Sequence, residues 1–264
     1  MSLVTVIITV FNGVNTIGEA IDSVLVQTHS NIELIIVDDG STDGSAQYIK
    51  EKFNDKRLRL IENGKVGRSA ALNIGIKEAH GDYICILDAD DVFQPQKIQI
   101  QLLAKSSLLP NAVLFSKASI LYGEQKAVKK FVRLTDSKIS EVSYQELFKR
   151  NPFFHSSLFV RRVDILSVNG YDEKRTRLVD YDLYFRMAKT GCKLFEINDD
   201  LICRRVHAGQ NFENKKRLNY IASVFKLQIV NIITQNQYQY ILHPFAKFVY
   251  SLFPERLRYF LRRS

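Results

Sequence analysis

The stretch YICILDADD, Tyr83–Asp91, decides the fold. Residues 83 to 87 are apolar or β-forming and contain no turn former, which predicts a buried strand. Asp88, Asp90 and Asp91 follow at its end, where like charges repel and lose hydration at a cost of roughly several kcal/mol. A divalent metal would offset that cost, and carboxylate oxygens suit Mg²⁺ or Mn²⁺. The alternative is a solvated acidic turn that caps the next helix.

Three further strand patterns precede this stretch and alternate with helical patterns. The predicted strands are Leu3–Val10, Ile32–Val37 and Arg57–Ile61, and the predicted helices are Thr16–Gln27, Gly44–Phe53 and Arg68–Ala79. This alternation predicts a parallel sheet with helical crossovers. The turns that contain Asn12, Asp39 and Asp88 should then meet at one edge of the sheet. That arrangement is typical of a nucleotide site.

The sequence lacks the signals of several other classes. It contains neither G-x-G-x-x-G after the first strand nor G-x-x-x-x-G-K-[ST], so neither a dinucleotide fold nor a P-loop is indicated. The five histidines lack metal-ligand spacing, and the three cysteines form no C-x-x-C pair, which argues against zinc and against a disulfide framework. A reducing, cytoplasmic compartment fits this cysteine usage.

Charge and hydropathy narrow the set of partners. The formal net charge of +9 favours anionic partners. The basic residues are dispersed and aromatic residues do not interleave with them, so nucleic acid is not expected as a partner. The first apolar run, Leu3–Val10, lacks a basic leader and is not a signal peptide. No apolar run reaches the roughly 18 residues of a membrane-spanning helix.

The regular alternation of strand and helix patterns ends after Asp91. The predicted helices are 95–109, 143–150, 178–190 and 213–235, and the predicted strands are 112–122, 127–134, 156–160, 193–197 and 201–206. Strands 112–122 and 127–134 are expected to form a hairpin around Gly123-Glu124. We assign residues 1–91 to a nucleotide-binding half and 92–209 to a mixed α+β acceptor half of one domain. Residues 210–264 form a basic, amphipathic helical extension.

The tail from Pro244 allows two interpretations. Its apolar residues lie on one helical face, and residues 245–264 contain five basic residues against one acidic residue. Such a helix can lie on an anionic membrane, which would place the protein peripherally at the inner face of the cell membrane. It can equally pack on the body of the protein or on another subunit.

Five motifs in order resemble the inverting family 2 glycosyltransferases, whose fold is called GT-A. They are VTVIITVFNG, IELIIVDDGSTDGS, GRSAALNIGI, GDYICILDADD and VDYDLYFRMAKTG, within residues 3 to about 209. The resemblance implies an α/β fold. A Rossmann-like nucleotide-binding half with a mostly parallel sheet would be fused to the acceptor half, with C-terminal helices after it.

The same resemblance implies roles at the donor site. Asp39 would accept a hydrogen bond from a uracil ring. In the D-x-D of Asp88, Ala89 and Asp90, the first carboxylate would lie near the ribose and the last would bind the metal that bridges the diphosphate. Asp91 would orient metal or acceptor. Further matched positions at the nucleotide are Thr9, Asn12 and Arg68.

On the acceptor side, Asp180 matches the catalytic base, which must take the proton of the attacking hydroxyl. The family usually has glutamate where this chain has Val179, which puts acceptor geometry in doubt. Asp180 could instead be a helix N-terminal charge. His207 would close over the phosphates or complete the metal shell, or be an ordinary hydrogen-bonded histidine. His155 would touch the acceptor or pack in the core.

These observations predict a metal-dependent inverting glycosyltransferase. It would move a sugar from a nucleotide-diphosphate sugar, a UDP-sugar by the resemblance, to a hydroxyl of an envelope glycan or a lipid-linked acceptor. A single displacement needs one base, and the sequence offers no separate carboxylate nucleophile. The alternative is a non-catalytic nucleotide-sugar-binding or scaffold subunit, with Val179 as the first sign of lost transfer.

Overall fold

The structure is a computed structural model, and it describes residues 2–128, 130, 137–206 and 217–253. The chain divides into two compact units. The first comprises Met1–Ser143 and Phe153–His207, and the second comprises Tyr144–Pro152 and Ala208–Ser264. The predicted domain boundary near residue 209 stays a prediction.

Strands of the first unit form a mixed sheet. Within the described ranges they are β1 Val4–Val10, β2 Ile32–Asp39, β3 Leu58–Asn63, β4 Tyr83–Asp88, β5 Val92–Phe93, β6 Ala112–Tyr122, β7 Ile139–Val142, β8 Phe159–Arg161 and β9 Lys193–Val206. Their order is β3-β2-β1-β4-β8-β6-β9-β5, with β7 also paired to β9. The first four strands are parallel, which confirms the prediction. Thr9 pairs with Val37 on one side and Asp88 on the other, so the ends of β1, β2 and β4 are level.

Helices of the first unit follow the predicted crossovers. They are α1 Ile17–Leu25, α2 Ser45–Lys52, α3 Arg68–Glu78, α4 Lys97–Ser106, α5 Arg162–Ser167 and α6 Val179–Lys189. In α1 the buried apolar residues recur at helical spacing, as in Ile17, Ile21 and Val24, and the helix buries that face in the core. The β1 and β2 side chains complete this core, which holds the carboxyl ends of the strands in fixed positions.

The region after Asp91 departs from the prediction. The two predicted strands at 193–197 and 201–206 are one strand, because a bulge opposite Ser116 and Lys117 carries β9 through its polar centre. β6 pairs in parallel with β9 over its whole length, and the predicted hairpin with 127–134 stays a prediction because most of that segment lies outside the described residues. Ala127 and Val128 are not in a strand, and residues 129 and 131–134 lie outside the described residues.

Two local predictions also need correction. The predicted strand 156–160 begins only at Phe159, because His155–Ser157 forms a 3₁₀ turn. The predicted helix 143–150 is a 3₁₀ helix over Tyr144–Phe148. The first correction matters for the site, since the turn brings a histidine and a serine to the end of β4.

The second unit contains α7 Arg217–Thr234 and α8 Leu242–Leu252, with the Tyr144–Phe148 3₁₀ helix. Aromatic contacts join its parts: Phe225 lies 4.9 Å from both Phe245 and Phe248, and Phe148 stacks on Tyr240 at 5.4 Å, centroid to centroid. Among the helices in the described part of the chain, none has both the length and the apolar character needed to span a membrane.

Candidate active site

The loops after β1 and β2 are joined by hydrogen bonds at the predicted sheet edge. The Asn12 amide donates to Ser41 Oγ at 2.9 Å, and the Thr42 amide donates to Asn12 Oδ1 at 2.8 Å. Asn12 has a positive φ of 54°, a conformation that asparagine tolerates better than most residues. The predicted meeting of these turns is therefore confirmed, and the Asn12 side chain supports the neighbouring loop.

Asp39 positions the loop that leads into α3. Its Oδ1 accepts hydrogen bonds from the amides of Val66 at 2.7 Å and Gly67 at 2.9 Å. Gly67 has a φ of +92°, which favours glycine, and the next residue is Arg68. Within the described residues nothing donates to the other oxygen, Oδ2. That oxygen can accept a hydrogen bond from a ligand.

Arg68 and Asp88 form an ion pair at the end of β4. Arg68 Nη2 lies 2.5 Å from Asp88 Oδ1 and 3.0 Å from His155 Nδ1. Burial acts to raise the pKa of Asp88, but the opposing interactions, led by the positive charge of Arg68, outweigh burial and hold that pKa well below its ordinary value. Asp88 is therefore ionised at neutral pH, and Arg68 spans from α3 to the D-x-D stretch.

His155 is buried between this ion pair and a tyrosine. Its Nε2 lies 2.7 Å from the Tyr171 hydroxyl, and the two rings meet edge to face. A guanidinium has only donors, so Nδ1 accepts from Arg68 in the neutral ring and Nε2 carries the proton. The histidine predicted to touch acceptor or pack in the core thus lies at the site and contacts Arg68.

The three aspartates converge as the sequence predicts. One carboxylate oxygen from each of Asp88, Asp90 and Asp91 lies within 4.8 Å of the others. Asp91 is only 4% exposed, and both its oxygens accept hydrogen bonds, Oδ1 from the Arg205 amide at 2.9 Å and Oδ2 from Ser156 Oγ at 2.5 Å. Asp91 is thus fixed in position by Ser156 and Arg205 next to the other two carboxylates.

Burial and repulsion both act on Asp91. Burial first, and then the charges of Asp88 and Asp90, raise the pKa of Asp91 to about 8. This raised pKa means that the protein does not fully neutralise the cluster. Three hard oxygen donors with excess negative charge fit a divalent cation such as Mg²⁺ or Mn²⁺. The other predicted metal residue, His207, lies outside the described residues.

Cation affinity should consequently depend on pH through Asp91. A proton on Asp91 weakens the binding of a cation at the cluster, and a bound cation in turn favours loss of that proton. We therefore expect Mn²⁺ affinity to rise up to about tenfold per pH unit from pH 6 towards 8 and then to level off. Calorimetric titration across this range measures the slope. Asp91→Asn should flatten the profile, and an equally steep profile in that variant would contradict the assignment.

Asp180, the predicted base, interacts electrostatically with residues of the same site. It lies in the first turn of α6, directly after Leu178, whose φ of +55° is unusual for a leucine. The pKa of Tyr171 is well above its ordinary value, and burial is the largest cause. The charge of Arg68 lowers this pKa, whereas the charges of Asp180 and Asp88 raise it. The charge of Asp180 thus acts on both Arg68 and Tyr171, which contact Asp88 and His155 respectively.

The neighbours of Asp180 on α6 have structural contacts. Val179 is buried at 6% exposure and packs into the interior. Asp182 is buried between two arginines, with Arg175 Nε at 2.9 Å and Arg186 Nε at 2.8 Å. Since residues two apart on a helix do not share a face, Asp182 lies on a different face of α6 from Asp180.

Three residues at the site were not predicted from the sequence. Ser156 joins Asp91 to the amide of Asp88, and Tyr171 orients His155. Arg205 is 4% exposed and binds Glu19, the carbonyl of Asp90, and the carbonyls at 123 and 125. The only sequence signal for Arg205 is a charged residue inside the strand LICRRV.

Comparisons with known proteins agree with this geometry. Residues 5–168 match the family described as glycosyl transferase family 2. A Rickettsia prowazekii protein described as an uncharacterized glycosyltransferase, RP339, is 36% identical over 217 residues, covering 79% of this chain and 65% of the relative. The Escherichia coli protein WfaP is described as a UDP-Glc:alpha-D-GlcNAc-diphosphoundecaprenol beta-1,3-glucosyltransferase. It is 32% identical over 217 residues, covering 81% of this chain and 82% of WfaP.

Solved structures resemble the fold. S. aureus TarS 1–349 superposes with a TM-score of 0.69 at 16% identity, covering 95% of this chain and 71% of TarS. The same TarS fragment in complex with UDP-GlcNAc gives a TM-score of 0.71 at 17% identity. This likeness confirms the predicted GT-A fold. The matches to five Rickettsia proteins span between 16% and 65% of their length.

Proposed function

The chain belongs to glycosyl transferase family 2, and from that premise we propose that it is a metal-dependent inverting glycosyltransferase that uses a UDP-sugar. The observation that carries the proposal is the Asp88, Asp90 and Asp91 cluster, with Arg68 and His155 beside it at the carboxyl end of β4. Ligands of open α/β sheets bind outside the carboxyl ends of the strands.

On the donor side, each residue has a role that its contacts support. The free oxygen of Asp39 accepts a hydrogen bond from the uracil ring, and Thr9 and Asn12 form the neighbouring wall. Arg68, held by Asp88 and His155, supplies positive charge near the nucleotide. Ala89 leaves room between the two carboxylates of the D-x-D.

The acceptor in this proposal is a hydroxyl of an envelope glycan or of a lipid-linked sugar. Its support is the resemblance to WfaP, whose name describes glucose transfer to a lipid-linked diphosphate acceptor. The three cysteines are free, which supports a cytoplasmic location. The proposed peripheral association at the inner face of the cell membrane rests instead on the basic, amphipathic tail.

Transfer is a single displacement in this proposal. The acceptor oxygen forms a bond to the anomeric carbon while the bond from that carbon to the diphosphate oxygen breaks. Asp180 takes the hydroxyl proton as the oxygen attacks, and the configuration at carbon inverts. Holding both substrates in line lowers the entropic barrier, since the reaction then resembles a unimolecular one.

Asp90, with Asp88 beside it and Asp91 beneath, would hold the divalent cation. When bound, the cation supplies positive charge to the diphosphate leaving group. Ser156 and Arg205 keep the cluster in place, because they fix both oxygens of Asp91. His207 is the remaining candidate for the metal shell or the phosphates, on the sequence resemblance alone.

Replacement of Asp90 tests the metal and donor assignment together. Asp90→Asn removes one charge from the cluster, so we expect UDP affinity in the presence of Mn²⁺ to fall about tenfold or more. Asp82→Asn is the matched control, because exposed Asp82 directly precedes β4 at its other end. Calorimetry measures both, and equal UDP affinity in the two variants would refute the assignment.

A non-catalytic nucleotide-sugar-binding subunit is the second candidate function. The observation that favours it is Val179, which stands where the family usually has glutamate and is buried. The two candidates share UDP binding and differ in turnover. A screen of UDP-sugars by thermal shift with Mn²⁺ finds the donor, since a ligand that binds only the native state raises its stability. Release of UDP with that donor and an acceptor library then separates them.

A further inference from the structure

Positive charge is concentrated in the second unit. Residues 144–152 and 208–264 contain eleven basic and three acidic residues, whereas the rest of the chain contains 26 and 25. The second unit therefore supplies eight of the nine net positive charges. From residue 214 to 254 the sequence contains no aspartate or glutamate. Charge segregation on this scale favours an extended anionic partner rather than a single phosphate.

The helix α8 presents an apolar surface to solvent. Leu242 is 75% exposed, Phe245 47%, Val249 50% and Leu252 54%. Their spacing of three, seven and ten residues places all four on one face, which we name the α8 stripe. Phe248 lies off this stripe, and both Phe248 and Phe245 pack on Phe225 of α7 with ring centroids 4.9 Å apart. In the described part of the chain, the four side chains of the stripe thus keep about half or more of their surface exposed although α8 is packed against α7.

We propose that the α8 stripe rests on an anionic lipid surface. Large apolar side chains in a basic segment without carboxylates are the combination that inserts into the headgroup region of such a bilayer. At 11 residues α8 is too short to span a membrane and lies in its plane. A second copy is a poorer occupant, because two units of net charge +8 repel each other.

The inference deepens the proposed function by naming the surface that carries a lipid-linked acceptor. Only the link to a lipid-linked acceptor rests on the proposed function, whereas lipid binding by the α8 stripe does not. Binding to lipid can be measured without donor, cation or acceptor. A failure to bind membranes would leave UDP binding and transfer untouched, and loss of transfer would leave membrane binding untouched.

Flotation of the full chain with vesicles tests the inference. We expect it to float with vesicles of phosphatidylcholine and phosphatidylglycerol, to remain below with phosphatidylcholine alone, and to be released by salt. The double variant Leu242→Gln and Val249→Gln should lower the partition coefficient about tenfold or more, because two exposed side chains lose their apolar contact.

A matched control keeps the result specific. Leu103 and Val163 are 50% and 60% exposed on helices of the first unit, so their double change to glutamine should leave flotation unchanged. Circular dichroism and thermal melting are the measurements that test whether both double variants fold. Equal flotation of the two would overturn the proposal. So would a concentration-dependent dimer that the stripe variant dissociates, since the stripe would then be a protein interface.

Discussion

Asparagine at position 180 is expected to slow sugar transfer by about 10³-fold and to leave UDP affinity unchanged. The substitution keeps the size of the side chain and removes its ability to take a proton from the acceptor hydroxyl. The charge of Asp180 acts on Arg68 and Tyr171, which contact Asp88 and His155 respectively. Single-turnover measurement with a saturating UDP-sugar separates the chemical step from binding.

The matched control lies two residues further along the same helix. Asp182→Asn makes the same chemical change at a carboxylate that contacts Arg175 and Arg186, so it should lower stability and leave most of the turnover. Full activity in Asp180→Asn would show that another group takes the proton. Loss of UDP binding in that variant would show that Asp180 belongs to the donor site.

The first half of the fold could be predicted because local and global signals agree there. The strands β1, β2 and β4 are apolar runs closed by polar turns, and the crossover α1 has a buried face at helical spacing. Strand ends fix the turn positions, so the approach of Asn12, Asp39 and Asp88 follows from topology alone. The contacts that these side chains make were not predictable, since Asn12 and Asp39 also bind neighbouring loops.

The second half was less predictable because its order depends on distant pairings. The strand β9 contains a polar centre that resembles a turn, and only its pairing with β6 keeps it continuous. The turn at His155–Ser157 is likewise stabilised by partners far along the chain, such as Arg68 and Asp91. The role of Arg205 was not predictable for the same reason, since its side-chain partners lie 80 or more residues away in the sequence.

The contacts of Arg205 suggest that one buried cation organises the acidic site. Its guanidinium binds Glu19 Oε2 at 2.5 Å and two carbonyls at 2.7 Å, while its backbone amide holds Asp91. The guanidinium therefore lies next to the three carboxylates but binds the backbone carbonyl of Asp90 and the carboxylate of Glu19. It can offset part of their repulsion during folding and still leave the cluster negative enough to attract a divalent cation.

Methionine at position 205 is expected to destabilise the protein by about 3 kcal/mol. Methionine has similar length and no donors, so Glu19 and the carbonyls that the buried guanidinium binds would lose that partner. Equilibrium unfolding in urea measures the free energy. Arg205→Lys should recover only part of it, because an ammonium cannot reproduce the planar fork of five donors.

The double variant Arg205→Met and Glu19→Gln shows how much of the loss comes from the unpaired carboxylate. Glu19 is about one-third exposed, so water satisfies part of its charge, and the double variant should recover about 1 kcal/mol. A loss below about 1 kcal/mol in Arg205→Met would mean that this arginine is not what holds the end of β9 to the aspartate cluster. If stability falls as expected while Mn²⁺ affinity also falls in the folded variant, then Arg205 positions the metal-binding carboxylates as well as stabilising them. That result would give the buried Arg205 a part in metal binding although it does not itself contact the metal.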